Sequence, residues 1–246
     1  GRPGWPARVL LALFAWMASS LAAAADRAMI EPVGYSSDGR YFAFEQFGIQ
    51  DGSGFPFSEI FLIDLDTDRF VGGAPFRARI DDEMASLADA RAEARAQAAG
   101  ALDDHDVDTP ARWIAMSGDG EPDDDRLSMT YGVPGFGLAD IIDRHELSID
   151  IFYAPTSLDC VEWFGERPMG FALYRETDGE RVEIHRDTRV PASRNCTVTY
   201  KFYGVLLPFE DFHNASAVAV LSVWSRGFEG YDRRFIALPV GDRAAP

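Results

Sequence analysis

Apolar and polar residues alternate along much of this chain with a period of two. That spacing sends successive side chains of a β-strand to opposite faces. Two such runs, residues 40–47 (RYFAFEQF) and 58–65 (SEIFLIDL), flank a loop at 48–57 that is rich in glycine and phenylalanine. Together they predict a hairpin, announced by the turn residues Ser37, Asp38 and Gly39. Asp66, Thr67 and Asp68 then turn the chain into residues 69–71. Residues 147–153 (LSIDIFY) place Leu147, Ile149, Ile151 and Tyr153 on one face. Residues 171–175 and 181–185 pair about Asp178-Gly179, a dipeptide suited to a tight hairpin turn. Residues 197–207 form another extended run. Residues 217–224 and 233–240 form a last hairpin around a glycine-aromatic loop at 225–233. The fold class predicted is mainly β, an antiparallel sandwich-like sheet domain spanning 26–246.

One segment breaks the period. Asp81, Asp82 and Glu83 precede an alanine-rich run closed by Gly100. Acids at the front, alanine inside and glycine behind predict a helical insertion at 81–99. Ile80, Met84, Leu87, Ala88 and Arg91 share one face, and the apolar stripe is thin. Residues 101–125 carry dense acidic clusters around the short apolar stretch 113–116, which predicts solvated acidic loops about one short strand.

The N-terminus follows a different pattern. Arg2 and Arg8 precede an unbroken apolar run at 9–17, and small residues stand at Ala23 and Ala25. A basic start, a short apolar core and small residues before the break predict a secretory signal peptide at 1–25, cut after Ala25. The segment is short of the roughly 20 apolar residues of a spanning helix. No stable membrane insertion is expected once it is removed, and the mature chain is expected to be secreted or periplasmic. Composition adds a strong acidic bias. The 246 residues hold 23 Lys+Arg against 40 Asp+Glu, a net charge of −17. Loss of the two arginines before residue 26 deepens it to −19. Such a chain is repelled by phosphate backbones, so no nucleic acid partner is expected.

Cys160 and Cys196 are the only cysteines. In an oxidising compartment two thiols join, and they are read as a structural disulfide. The alternative, a reactive thiol beside Arg194, lacks a C-x-x-C motif or a recognisable Cys-His signature. Asp104, Asp106 and Asp108 alternate as calcium ligands do. Thr109 and Ala115 stand where an EF-hand needs glycine and glutamate, so no metal site is assigned. His105, His145, His185 and His213 are scattered, and His145-Glu146 lacks the second histidine of a zinc-protease helix. No nucleophile elbow, phosphate loop or dinucleotide motif occurs, and no cofactor is expected. A Ser-His-Asp set drawn from Asp211 and His213 stays open but nothing in the spacing demands it.

Several stretches together resemble a family of bacterial predicted secreted proteins, domain of unknown function 2259. They are residues 34–45 (GYSSDGRYFAFE), 50–56 (QDGSGFP), the late cysteine pair and 227–234 (GFEGYDRR). The resemblance covers nearly the whole mature chain and implies export and two cysteines, but no activity. The two glycine-aromatic loops, 48–57 and 225–233, are the best candidate surfaces, because rings beside adaptable backbone suit ligand recognition. Glu45, Asp51, Phe55, Phe228, Glu229, Tyr231, Asp232 and Arg233 are the candidate ligand-binding residues. The competing reading has these rings plug the ends of the β core. Function is expected to be non-catalytic binding of a protein or polysaccharide partner. The alternative is a hydrolase or metal-dependent enzyme that uses the acidic loop residues.

Overall fold

The computed structural model describes residues 25–243, apart from 119, 121, 123, 124, 139, 210, 228 and 229. The leader expected at 1–25 thus lies outside the described residues but for Ala25. In chain order the elements are β1 (Met29–Ser36), β2 (Tyr41–Ile49), β3 (Pro56–Asp64), β4 (Arg69–Phe70), β5 (Phe76–Arg79), α1 (Leu87–Asp104), β6 (Val107–Thr109), β7 (Ala111–Met116), β8 (Ser128–Pro134), β9 (Ile141–Tyr153), α2 (Cys160–Phe164), β10 (Met169–Thr177), β11 (Glu180–Arg186), β12 (Thr197–Pro208), β13 (Val218–Arg226) and β14 (Tyr231–Pro239).

These strands form three antiparallel sheets. The first runs β4-β3-β2-β1-β6, with β5 also on β3; the central sheet runs β14-β13-β12-β7; the third runs β11-β10-β9-β8. The central sheet is buried on both faces, which explains the near-continuous apolar runs of β12 and β13. In β13, Val218 and Val220 pack with Phe42, Phe44 and Phe61 of the first sheet. Their neighbours Ala219, Leu221 and Val223 pack with Tyr131, Leu147 and Phe171 of the third. The fold is mainly β and sandwich-like, with three stacked sheets and one long helix outside them.

That helix differs from the sequence reading of 81–99. It starts at Leu87, because Ser86 and Asp89 form a reciprocal capping box that satisfies free N–H groups of the first turn. It runs through Gly100 to Asp104. Ala90, Ala94 and Ala98 are buried at four-residue spacing, and Ala94 and Ala98 meet Ile60 and Ala78 on the outer face of the first sheet. Small side chains let the helix lie close to the strands. The segment read as acidic loops at 101–125 begins in regular structure: its start belongs to α1, and β6 and β7 follow.

Both glycine-aromatic loops are shorter than expected. Strand pairing continues to Ile49↔Pro56 and to Arg226↔Tyr231, leaving 50–55 and 227–230 as the connections. The β10–β11 turn is as expected: Asp178 and Gly179 both have positive φ, 52° and 82°, the geometry of a two-residue hairpin turn. Cys160 and Cys196 are joined in a disulfide that ties α2 to the start of β12.

Candidate functional site

The residues singled out in the sequence separate into two places. Glu45 lies on the outer face of β2, fully buried beneath α1. Its Oε1 accepts from Ser58 Oγ and Arg91 Nε, both at 2.8 Å, and its Oε2 accepts from Arg91 Nη2 and Arg95 Nη2, both at 2.8 Å. Burial alone would push this carboxyl up, but Arg91, Ser58 and Arg95 outweigh it and hold the carboxyl below the ordinary range. Its lone pairs are engaged, and it fastens the helix to the sheet.

Asp51, Phe55, Tyr231, Asp232 and Arg233 gather at one end of the first and central sheets. The chain from Asp26 to Ala28 is stitched along the edge of β14 there. Ala28 N donates to Arg233 O at 3.1 Å, and Arg233 N donates to Asp26 O at 2.9 Å. Arg233 is buried, donates to Ala28 O at 2.6 Å and packs over the rings of Trp224 and Phe235. Asp26 N donates to Asp232 Oδ1 at 3.0 Å, and Arg234 Nη2 donates to Asp26 Oδ2 at 2.6 Å. Burial, and then the nearby charges of Asp26 and Asp51, push the Asp232 carboxyl up. Asp51 and Asp232 thus bring the two loops into one electrostatic neighbourhood. Gly227 permits this: a Cβ there would meet Asp232 Oδ1 at 2.4 Å. Phe228 and Glu229 lie outside the described residues.

The rings are divided. Phe47, Phe57 and Trp224 are buried in the body of the protein, whereas Phe55 and Tyr231 are half-buried. The Arg226 guanidinium lies over Tyr231 at 4.7 Å.

Sequence reasoning missed a hollow that lies beside β14. One lobe, about 400 Å³, is lined by Phe61, Ile63 and Phe70 of the β3–β4 hairpin, by Phe235 to Leu238 of β14, and by His185 and Arg194. A second, about 360 Å³, shares Phe61, Phe70, Arg194, Phe235 and Ile236 with the first and adds Glu59, Arg77 and Arg234. A third shares those last three and reaches Gln50 and Phe57 at the first glycine-aromatic loop. Together they make one groove. Its signal in the sequence is faint, since its walls come from strands far apart along the chain.

The groove follows an open strand edge. Val240 N donates to Ala217 O, so in the register Ala219↔Leu238 and Leu221↔Ile236 the even-numbered residues bond to β13. Arg233, Phe235 and Ala237 therefore aim their main-chain groups outward. Arg233 bonds to the Asp26–Ala28 segment, and Phe235 N donates to Gln46 Oε1 at 2.8 Å. Ala237 N and O and Phe235 O have no partner among the described residues.

At the groove's third-sheet wall, Asp187 is buried. Its carboxylate receives His185 Nε2 at 3.0 Å, Arg194 Nη1 at 2.7 Å and Phe171 N at 3.1 Å. Burial would raise this carboxyl, yet His185, Arg194 and the Phe171 N–H more than offset it and hold it low. The remaining histidines serve locally. His105 Nδ1 meets Ala101 O at 2.7 Å, and buried His145 meets Thr177 Oγ1. The Asp211 carboxylate accepts the main-chain N–H of His213, at 2.8 Å. Among the described residues no three His, Cys, Asp or Glu side chains are grouped to hold a metal ion. No described helix is long and apolar enough to cross a membrane.

A family model described as predicted secreted protein (DUF2259) matches residues 43–241. That span takes in the 50–56 segment, both cysteines, the 227–234 segment and the whole groove. No curated protein matches the chain.

Proposed function

We propose, from the premise that the chain belongs to the predicted secreted proteins of the DUF2259 family, that it is an exported, non-catalytic protein whose groove beside β14 takes an extended peptide. Export removes residues 1–25. The observation that carries the reading is the connected groove along an unpaired strand edge. A peptide laid there adds a strand, offering its carbonyl to Ala237 N–H and its N–H to Ala237 and Phe235 carbonyls. The Asp26–Ala28 segment already uses the same edge in this way at Arg233. Phe61 and Phe70 supply apolar walls for alternate side chains. Arg69, Arg77, Arg79, Arg194 and Arg234 line the groove. Arg77, Arg79, Arg194 and Arg234 are ion-paired with Glu59, Asp81, Asp187 and Asp26, and the exposed Arg69 is the cation that meets an acidic ligand. The groove reaches the loop at 50–55 through Gln50.

The test uses a fluorescein-labelled decapeptide of alternating valine and glutamate, read by anisotropy with the chain starting at Asp26. Saturable binding is expected, weakened at least tenfold by Arg69→Glu and by Ala237→Pro. Proline at 237 removes only an outward N–H and leaves the ladder to β13 intact. Peptide recovered at unchanged mass supports a binding role, and cleaved peptide replaces it with the hydrolase reading. Binding of polygalacturonate but not of the peptide transfers the groove to polysaccharides. Binding of neither, or of both with indifference to Arg69→Glu and Ala237→Pro, removes the groove as the site.

A further inference from the structure

Asp26 N is 3.0 Å from Asp232 Oδ1, and in the unprocessed chain it carries a single hydrogen. Asp26 itself is over nine-tenths buried, and its Oδ1 is a buried oxygen without a hydrogen-bond partner. Asp51 adds a third carboxylate to the neighbourhood. Arg234 meets Asp26 through Oδ2 and O, and the Arg233 guanidinium donates to Ala28 O. The site thus sets two carboxylates, one of them with a buried unpartnered oxygen, around one backbone nitrogen. Ala23 and Ala25 are the small residues a signal-type endopeptidase reads, and they immediately precede that nitrogen.

We infer that hydrolysis of the Ala25–Asp26 bond creates an α-ammonium that docks onto Asp232 and the orphaned Asp26 Oδ1, and that processing thereby locks the N-terminal segment onto β14. Water adds across the peptide bond. The Ala25 carbonyl leaves as a carboxylate with residues 1–25, and the Asp26 nitrogen takes one hydrogen from that water and a proton from solvent. The single N–H becomes three donors and one positive charge, beside the Asp232 carboxylate and the unpartnered Asp26 Oδ1. Before cleavage, Asp232 is pushed up, so its ionised form costs the fold stability as pH rises through the carboxylate range. The ammonium reverses that cost, and the gain is present between the carboxylate range and the α-amino range, about 7.7–8.0 or higher. The segment bonds to the strand that lines the groove, so locking it also steadies one groove wall. The inference rests on the export reading and not on what the groove binds.

The experiment compares four chains beginning at Asp26: free or Nα-acetylated, each with Asp232 or with Asp232→Asn. At pH 7, acetylation is expected to lower the folding equilibrium constant at least fivefold in the Asp232 pair and by a clearly smaller factor in the Asp232→Asn pair, where only the Asp26 oxygen remains. The difference is expected to shrink as pH falls through the carboxylate range. Equal effects of acetylation in both pairs overturn the ion pair. Should Asp232→Asn not fold, the unmodified α-amine is titrated by NMR of the chain labelled with ¹³C and ¹⁵N at Asp26: a pKa above the ordinary α-amino range supports the docking and an ordinary value refutes it. Asp26 as the first residue of the natural protein supports the processing site. Any other first residue overturns the processing step while leaving the groove reading untouched.

Discussion

Glu45 and Asp51 stand six residues apart and meet opposite surroundings. Glu45 falls on the outward face of β2 and is covered by α1, where Arg91 and Arg95 descend onto it. Asp51 lies in the connecting loop, half-exposed, its Oδ1 taking the N–H of Gly52 at 2.9 Å. Nothing in the alternation of polar and apolar residues separates the two, since a charged residue on a strand's outward face reads as solvated until a helix is laid over it. Glu45→Ala removes several charge-assisted hydrogen bonds and should cost about 1.5–3 kcal/mol. The cost stays below that of stranding a buried charge, because Arg95 is half-exposed and can turn to water. Urea unfolding of the variant checks it. Glu45 has a depressed carboxyl, so its stabilisation is present above the unfolded-state carboxylate value and disappears as pH falls through the folded one. Wild type should therefore lose stability on acidification more steeply than Glu45→Ala.

At the scale of elements, α1 was legible in kind and misplaced in extent. Alanine content and flanking acids announced it. The start was set by the Ser86–Asp89 capping box, and the finish ignored Gly100 because Leu102, one turn on from Ala98, packs against the same cluster on the sheet. Gly100 is exposed and a Cβ there meets nothing within 4 Å. Gly100→Ala should therefore stabilise by about 0.5–1 kcal/mol, read as a rise in melting temperature. Ala94→Leu should do the reverse, losing about 1–3 kcal/mol, because a larger side chain forces the helix from the strands. The hairpins were read more faithfully, since a turn dipeptide such as Asp178-Gly179 acts through its own φ angles. Only the loop lengths at 50–55 and 227–230 were overestimated: glycine and aromatic residues that look like loop also tolerate strand pairing.

At the scale of the whole molecule, the disulfide closes a loop of 36 positions. By chain-entropy bookkeeping that contributes on the order of 3–4 kcal/mol. Replacing both cysteines by alanine should lower the denaturant midpoint and steepen the slope, because the unfolded chain without the bridge exposes more surface. An unchanged midpoint would show that the third sheet and β12 are held by packing alone. The bridge matters because β12 is the strand shared by both cores: Tyr200 and Phe202 face the third sheet and Leu206 faces the first. The groove also belongs to this scale. It is the space left where the edge of the central sheet passes between the β3–β4 hairpin and Arg194, and no short stretch of chain encodes it.

By itself the sequence determined the mainly β class, the hairpins, the existence of one alanine-rich helix, the cysteine pair and the family. These follow from local rules: side-chain period, turn chemistry, helix signals and composition act within a few residues of where they are written. Tertiary structure alone decided that three sheets stack with the β12–β14 layer in the middle and that Glu45 is sealed under α1. It also decided that Asp26 meets Asp232, and that β14 leaves Ala237 facing a groove. Each of these depends on segments up to about two hundred positions apart coming together, and burial, register and electrostatic company exist only once they have.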